Sequence, residues 1–142
     1  MGTDIHGRIQ WRDSGGRWFD DGPIEDGRSY RLFAALAGVR NGIGFAGVFT
    51  HDAITPIAEP RGLPDDNVAY PNEGDVWFGD HTFSWLSFPE ITSWDGWDKP
   101  LSDAPTIPLR ERCDAFMKWL AWQEARQFVA PEDVRIVFGF DS

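Results

Sequence analysis

The sequence predicts an α+β fold: an antiparallel sheet that includes an amino-terminal hairpin and the carboxy-terminal strand, covered by one long helix and shorter helices. Residues 4–12 and 134–140 alternate apolar and polar side chains, which is typical of half-buried strands. Residues 108–128 place apolar side chains three and four positions apart, which indicates a helix. The chain has 142 residues, and this length favours a single domain over residues 1–142.

The amino-terminal hairpin is the clearest local prediction. Polar side chains fall on one face of residues 4–12, and the opposite face carries apolar ones: Ile5, Ile9 and Trp11. The sequence Asp-Ser-Gly-Gly at 13–16 predicts a tight turn, because glycine accepts the positive φ that such turns require. Residues 17–19 then begin the second strand, and Pro23 and Gly27 bracket a loop.

The last strand is predicted to lie beside the first. Val134 to Phe140 alternates in the same way as the first strand, with phenylalanine, valine and isoleucine on one face. Pairing of these two strands would bring Asp4 and Asp141 to the same edge of the sheet.

The helices are predicted from apolar spacing and from capping residues. Residues 29–38 form a short helix that ends at Gly38. The strongest helix runs from Pro108 to about Phe128, opened by Thr106 and closed before Pro131. Its core-facing stripe consists of Leu109, Cys113, Phe116 and Leu120.

A capping box predicts a further short helix. Ser87 and Glu90 have the spacing at which each side chain bonds the other's backbone N–H, and the helix should run to about Ser93. By contrast, residues 39–64 are rich in glycine and proline and are predicted to be a loop with one or two short strands, such as residues 45–49. The role of residues 41–58 is left open.

Charge and aromatic content limit the partners. Lys and Arg total 13 against 23 Asp and Glu, so the net charge is −10, and a chain this acidic repels bulk nucleic acid. Lysine occurs only at Lys99 and Lys118, so nearly all the cations are arginine, which binds phosphates and carboxylates with two parallel hydrogen bonds. Aromatic residues make up 15% of the chain. Most of them should form the core, while a few could line a site for a flat ligand.

The chain is expected to be a soluble, cytoplasmic protein. Its apolar runs are too short for a transmembrane helix, and its amino terminus lacks the pattern of a secretory signal, so no membrane partner is expected. Its one cysteine, Cys113, excludes an internal disulfide framework. The sequence leaves a homo-oligomer open.

Asp4, His6 and His81 are the candidates for metal chemistry. Asp4 and His6 are two positions apart on a strand, so their side chains share a face and could present an oxygen and a nitrogen to a divalent ion. His81, which follows Asp80, would complete the site, with Asp80 or Asp141 as further ligands. The competing interpretation is that these histidines make ordinary solvated contacts with neighbouring carboxylates.

The arginines suggest an anion site. Arg40 follows the first helix, and Arg61 lies in a stiff Pro-Arg-Gly segment. Together they could clamp a phosphate or carboxylate, or they could form salt bridges with the many acidic side chains. No nucleophile elbow of the Gly-x-Ser-x-Gly type and no phosphate-binding loop occurs. Whether the protein is an enzyme stays open, with binding favoured.

Several segments, in the same order along nearly the whole chain, resemble a family of small proteins encoded mainly in tailed-phage genomes, a family with no established activity. They are residues 1–6, 30–40, 60–65, 81–86 with Glu90, and 134–141. Residues 45–53 look like a local insertion relative to that pattern, which leaves His51 without a role. The resemblance singles out these positions: Asp4, His6, Arg40, Arg61, His81, Ser84, Trp85, Glu90 and Asp141.

The resemblance implies an anti-defence function, because phages commonly encode small proteins that bind or destroy a nucleotide signal of host immunity. We therefore expect a cytoplasmic protein of the host cell that sequesters a small nucleotide-like molecule and needs no cofactor. The expected ligand-binding residues are Asp4, His6, Arg40, Arg61, His81, Ser84 and Trp85. The alternatives are a metal-dependent phosphodiesterase, in which Asp4, His6 and His81 hold a divalent metal ion, and a protein-interaction module.

Overall fold

A four-stranded antiparallel sheet organises the chain in the computed structural model, which describes residues 2–42, 53–67, 78–126 and 128–142. In chain order the elements are β1 (Asp4–Arg12), β2 (Trp18–Pro23), α1 (Tyr30–Ala37), β3 (His81–Ser87), α2 (Phe88–Thr92), β4 (Pro100–Leu101), β5 (Ala104–Pro108), α3 (Leu109–Arg112), α4 (Asp114–Arg126) and β6 (Val134–Asp141). The strand order in the main sheet is β2-β1-β6-β3. The predicted α+β fold is confirmed.

The predicted pairing of the first and last strands is confirmed. β1 runs antiparallel to β6, and Asp4 lies opposite Asp141. The core face of this pair carries Ile5, Ile9, Ile136, Phe138 and Phe140, all of which are buried. β2 returns from the predicted Asp-Ser-Gly-Gly turn, where Asp13 Oδ1 accepts the backbone N–H groups of Gly15 and Arg17 at 2.9 Å.

Local capping rules account for both short helices. In α1, Ser29 Oγ accepts the N–H of Leu32, and Gly38 ends the helix with a left-handed φ of 73°. In α2 the capping box between Ser87 and Glu90 is present as predicted. The residues of α1 from Leu32 to Ala37 are all buried, so this helix is part of the core.

The prediction of one long helix over 108–128 was wrong at its start. The strand β5 runs through Pro108, and the short helix α3 precedes α4. β5 extends through Pro108, where Pro100 pairs with it across the β4–β5 hairpin. Proline restrains the preceding residue to extended backbone, which keeps the helix from starting before Leu109. The helix then breaks at Cys113 (φ −124°, ψ 37°), where Ser29 Oγ donates to the carbonyl of Arg112 at 3.0 Å.

The predicted apolar stripe nevertheless packs into the core. Leu109, Cys113, Phe116 and Leu120 belong to one cluster of buried side chains that also contains the core face of the sheet. In α4 only Phe116 and Leu120 are fully buried, while Met117 and Trp119 are half-buried against the same cluster.

The middle of the chain contains a strand where the sequence left open a sheet edge or a loop laid across the sheet. The segment around His81 is β3, an edge strand of the main sheet. Three features of the predicted loop lie outside the described residues: the short strand at 45–49, residues 45–52 of the apparent insertion at 45–53, and His51. The described part of the predicted loop, residues 53–64, is neither helix nor strand. It is anchored by Asn41, whose side chain exchanges two hydrogen bonds with the backbone of Ile54.

Across the described residues, no helix combines the length and the apolar content that crossing a membrane would require.

Candidate functional site

The predicted ligand-binding residues separate into two groups. Asp4, His6, Arg40 and His81 lie where β1 begins and β6 ends, because Asp4 pairs with Asp141 and His81 pairs with Phe140. Arg61, Ser84 and Trp85 lie farther along β3, toward the start of α2, which Arg61 reaches through Glu90. These two groups do not form one site.

The expected convergence of Asp4, His6 and His81 is not found. His6 lies opposite Gly139 on β6, whereas His81 lies opposite the next residue, Phe140, and stacks against its ring. Neighbouring residues on a strand point to opposite faces, so the two imidazoles are on opposite faces of the sheet. In the parts of the chain that the structure describes, no group of three His, Cys, Asp or Glu could hold a metal ion.

Asp4 and His6 instead contact separate partners. Arg28 Nε lies 2.9 Å from Asp4 Oδ1, and His6 Nε2 lies 3.3 Å from Asp141 Oδ1. These contacts match the competing interpretation of the sequence, in which the histidine meets a neighbouring carboxylate.

Arg40 and His81 belong to a network that ties the two chain ends together. Arg40 Nε donates to Thr3 Oγ1 at 2.9 Å, and Thr3 Oγ1 lies 3.2 Å from Ser142 Oγ. Ser142 Oγ in turn lies 3.0 Å from His81 Nε2, while His81 Nδ1 lies 2.8 Å from Thr82 Oγ1. Both side chains therefore have structural partners in this network.

A groove on the other end of the sheet collects the remaining candidates. It has a volume of about 570 Å³ and lies on the face of the sheet that points away from the core, beside the segment 61–67. We call it the tryptophan–arginine groove. Its lining consists of Arg12, Trp18, Arg61, Leu63, Pro64, Asp65, Asp66, Trp85, Ser87, Glu132, Val134 and Arg135.

Guanidinium groups cover the two indole rings of this groove. The Arg61 guanidinium lies 4.5 Å from the centroid of Trp85, and that of Arg135 lies 3.8 Å from the centroid of Trp18. Arg12 approaches the same Trp18 ring at 5.1 Å. Stacked guanidinium and indole groups attract one another through the ring quadrupole, so the flat faces in the groove are held in fixed positions.

Carboxylates orient two of the arginines at the rim. Arg61 makes two hydrogen bonds to Glu90, one of them at 2.9 Å from Nη1 to Oε1. Its backbone N–H also donates to the buried Ser84 Oγ at 3.0 Å, which fixes the segment against β3. Arg12 donates from Nε and Nη2 to Asp133 Oδ1 at 3.1 and 3.0 Å. These carboxylates therefore hold the guanidinium groups of Arg61 and Arg12 in fixed orientations.

Arg135 forms the floor of the groove and is 4% exposed. It donates to Gln10 Oε1 at 2.9 Å and to Asp66 Oδ1 at 2.8 Å. Burial lowers the pKa of Arg135, and the bond to Asp66 opposes that change. The same bond holds the pKa of the Asp66 carboxyl below its usual value. A buried, paired arginine gives the groove a rigid base.

The sequence did not predict Arg12, Trp18 and Arg135 as site residues. The signal that could have found one of them is the register: pairing Asp4 with Asp141 places Gln10 opposite Arg135. The alternating pattern does not reveal that another segment of the chain covers this face of the strand. The segment 61–67 lies over this face, so a strand face that looks solvated in sequence holds Gln10 at 0% exposure.

No known protein family, no curated protein and no solved structure matches the chain. The resemblance to tailed-phage proteins therefore stays a prediction.

The Arg61–Glu90 pair should make stability depend on pH. The bonds from Arg61 lower the pKa of Glu90 from 4.5 to about 2. A carboxyl whose pKa is lower in the folded state stabilises the fold above its unfolded pKa. That contribution is lost as the pH falls from about 4.5 to about 2. Because the Glu90 side chain is 34% exposed, screening limits the effect to on the order of 1 kcal/mol.

Urea unfolding of the wild type and Glu90→Gln between pH 7 and pH 2 measures this contribution. We expect the difference in free energy of unfolding between the two proteins to shrink as the pH falls through that window. Glu111→Gln, at an exposed position of α3, should leave the profile of the wild type unchanged. A constant difference between wild type and Glu90→Gln at all pH values would contradict the prediction.

Proposed function

We propose that the protein binds and sequesters a small nucleotide-like molecule in the tryptophan–arginine groove. The observation that carries the proposal is the meeting of three arginines and two tryptophans, from separate segments of the chain, around one groove. Guanidinium groups donate paired hydrogen bonds to phosphate oxygens, and indole rings stack on flat bases. Both halves of a nucleotide thus find suitable partners within one volume.

The charge of the groove favours a ligand with few negative charges. Three arginines and three carboxylates line it, so its lining is close to neutral on a chain with a net charge of −10. An anion is repelled less strongly here than elsewhere on such a surface. A polyphosphate would still meet the carboxylates, so a cyclic or monophosphate-like ligand fits better.

Arg61 is the residue best placed to meet a ligand phosphate. Its side chain is 28% exposed, so its guanidinium can be reached from solvent, while Glu90 and Trp85 hold its orientation. Glu90 accepts from Nη1 and Nη2 of Arg61, so a phosphate oxygen would accept from the Nε–H group on the other edge of the guanidinium. The base would then stack on the exposed part of the Trp85 ring.

The chemistry of these side chains supports binding more than hydrolysis. Arginine and tryptophan donate hydrogen bonds and stack, but neither exchanges a proton readily near neutral pH. The alternative metal-dependent phosphodiesterase requires Asp4, His6 and His81 to share a site, and the register of β6 separates His6 from His81. The resemblance to phage proteins adds the biological context, a host immune signal as the ligand.

The test is isothermal titration calorimetry with a panel of cyclic and ADP-ribose-type nucleotides. We expect at least one to bind, and Arg61→Ala and Trp85→Ala to weaken that binding at least tenfold, which is about 1.4 kcal/mol. Matched controls are Arg110→Ala, an exposed arginine paired with Asp98, and Trp122→Ala, an exposed tryptophan of α4. Neither control should change the affinity.

Three outcomes separate the candidate functions. Recovery of intact nucleotide after heat denaturation supports sequestration, whereas new products would indicate an enzyme. Absence of binding by every nucleotide would overturn the proposal and leave the protein-interaction module. Equal losses in Arg61→Ala and Arg110→Ala would show that the ligand binds outside the groove.

A further inference from the structure

A second cavity lies on the core side of β1, where the end of α4 and the segment before β6 approach the sheet. Its volume is about 350 Å³, within the range of small-molecule sites. We call it the apolar cleft. Its lining consists of Ile9, Trp11, Asp21, Phe88, Gln123, Glu124, Phe128, Val129, Pro131 and Val134.

Two aromatic rings form a corner at the cleft. Trp11 stacks on Phe19 with 4.7 Å between centroids, and Phe128 meets Trp11 at 5.3 Å and an angle of 79°. Phe128 is 48% exposed, so much of a large apolar side chain faces solvent at the mouth. In this edge-to-face contact the edge of one ring meets the face of the other, so Trp11 and Phe128 together form a continuous apolar wall at the mouth of the cleft.

The rim of the cleft is acidic. Arg126 donates to Asp21 Oδ2 at 2.7 Å and to Gln123 Oε1 at 2.9 Å, and it lies 4.6 Å from the Phe128 centroid. The charges of Arg126 and Asp21 therefore balance each other. Glu124, an exposed lining residue, adds a further negative charge, and the net charge of −10 reinforces it.

We propose that the apolar cleft binds a small organic cation: an aromatic or branched aliphatic body with one ammonium group. The apolar walls take the body, and the ammonium lies near the carboxylate of Glu124 at the rim. This inference does not depend on the function proposed for the tryptophan–arginine groove, because the cleft is on the other face of β1 and selects the opposite charge.

A matched pair of probes tests whether the apolar cleft prefers a positively charged ligand to a negatively charged one. We expect the full-length protein to bind 2-naphthylmethylamine at least tenfold more tightly than 2-naphthylacetate by isothermal titration calorimetry, since the two share the same ring system. Glu124→Gln should weaken amine binding several-fold and strengthen acetate binding, because the same carboxylate attracts the ammonium and repels the acetate. Phe128→Ala should weaken binding of both probes.

Glu111→Gln, exposed on α3 and outside the lining, is the control and should bind the amine as the wild type does. Circular dichroism confirms that each variant is folded, which the exposure of Glu124 and Phe128 leads us to expect. Equal affinity for the two probes, no binding of the amine, or the same loss in Glu111→Gln as in Glu124→Gln would each overturn the proposal.

Discussion

Leu120→Asp is expected to leave the protein unfolded, or nearly so, at 25 °C. Leu120 is 4% exposed and lies in the buried cluster that joins α4 to α1 and the sheet. Removing a buried leucine side chain costs roughly 2–5 kcal/mol, and burying an unpaired carboxylate adds several kcal/mol. Together these are comparable with the whole stability of a domain, about 5–15 kcal/mol.

Ala121→Asp is the matched control for this prediction. Ala121 is the next residue of α4 and is exposed, so the same new carboxylate enters water and the cost should stay within about 0.5 kcal/mol. Urea unfolding followed by far-UV circular dichroism compares the two variants with the wild type. A Leu120→Asp variant as stable as Ala121→Asp would show that this face of α4 is not part of the core.

The strands and caps were predictable because they depend on nearby residues. Period-two alternation fixes which side of a strand is buried, and it excludes every register that would put the apolar faces of the two strands on opposite sides. The Ser87–Glu90 capping box and the Gly38 cap rest on spacings of a few residues. These features therefore agreed with the structure almost residue by residue.

The broken helix and the groove depend on contacts between distant parts of the chain. At Cys113 the helix breaks where Ser29, far away in sequence, bonds the Arg112 carbonyl. The groove exists because the segment 61–67 covers a sheet face and bonds Arg135 through Asp66. No periodicity carries that information, so Arg135 was not predicted as a site residue. Arg61 and Trp85 became candidates through the resemblance to phage proteins and, for Arg61, through its Pro-Arg-Gly segment.

The wrong prediction that His6 and His81 converge also arises from contacts between distant parts of the chain. Asp4 and His6 share a face by period two, but the position of His81 depends on how β3 aligns with β6, and the pairing shifts between His81 and Ser84. A one-residue change in register moves a side chain to the opposite face. Convergence of His6 with His81 could not be decided from spacing alone.

Gly139→Ala should be among the most destabilising single-methyl changes in this chain, with an expected cost of at least about 3 kcal/mol, the upper end for overpacking. Gly139 lies in β6 beneath the segment that leads into β3. A Cβ there would sit 2.0 Å from the carbonyl oxygen of Phe78 and 2.7 Å from Cδ1 of Phe83. Backbone cannot move aside as a flexible side chain can, so the segment has to lift away from the sheet.

Lifting that segment would also break its own attachment. Asp80 N–H donates to the carbonyl of Phe140 at 2.8 Å, and Gly79, at a φ of +86°, would place a Cβ 2.2 Å from the same carbonyl oxygen. Glycine at 139 and 79 thus permits the close crossing that starts β3, and β3 carries Trp85 into the tryptophan–arginine groove. Loss of the crossing should therefore weaken the proposed nucleotide binding as well as stability.

Thermal and urea unfolding of Gly139→Ala against Gly15→Ala measures the cost of the crossing. Gly15 lies exposed in the β1–β2 turn, where a new Cβ meets Asp13 Oδ1 at 3.3 Å, so that variant should lose less than about 1 kcal/mol. Hydrogen exchange adds a local readout: in Gly139→Ala the Asp80 amide should lose its protection before the amides of β1 do. Equal stability of the two variants would mean that Phe78–Asp80 does not cross β6 at Gly139, and the path of the chain into β3 would have to be different.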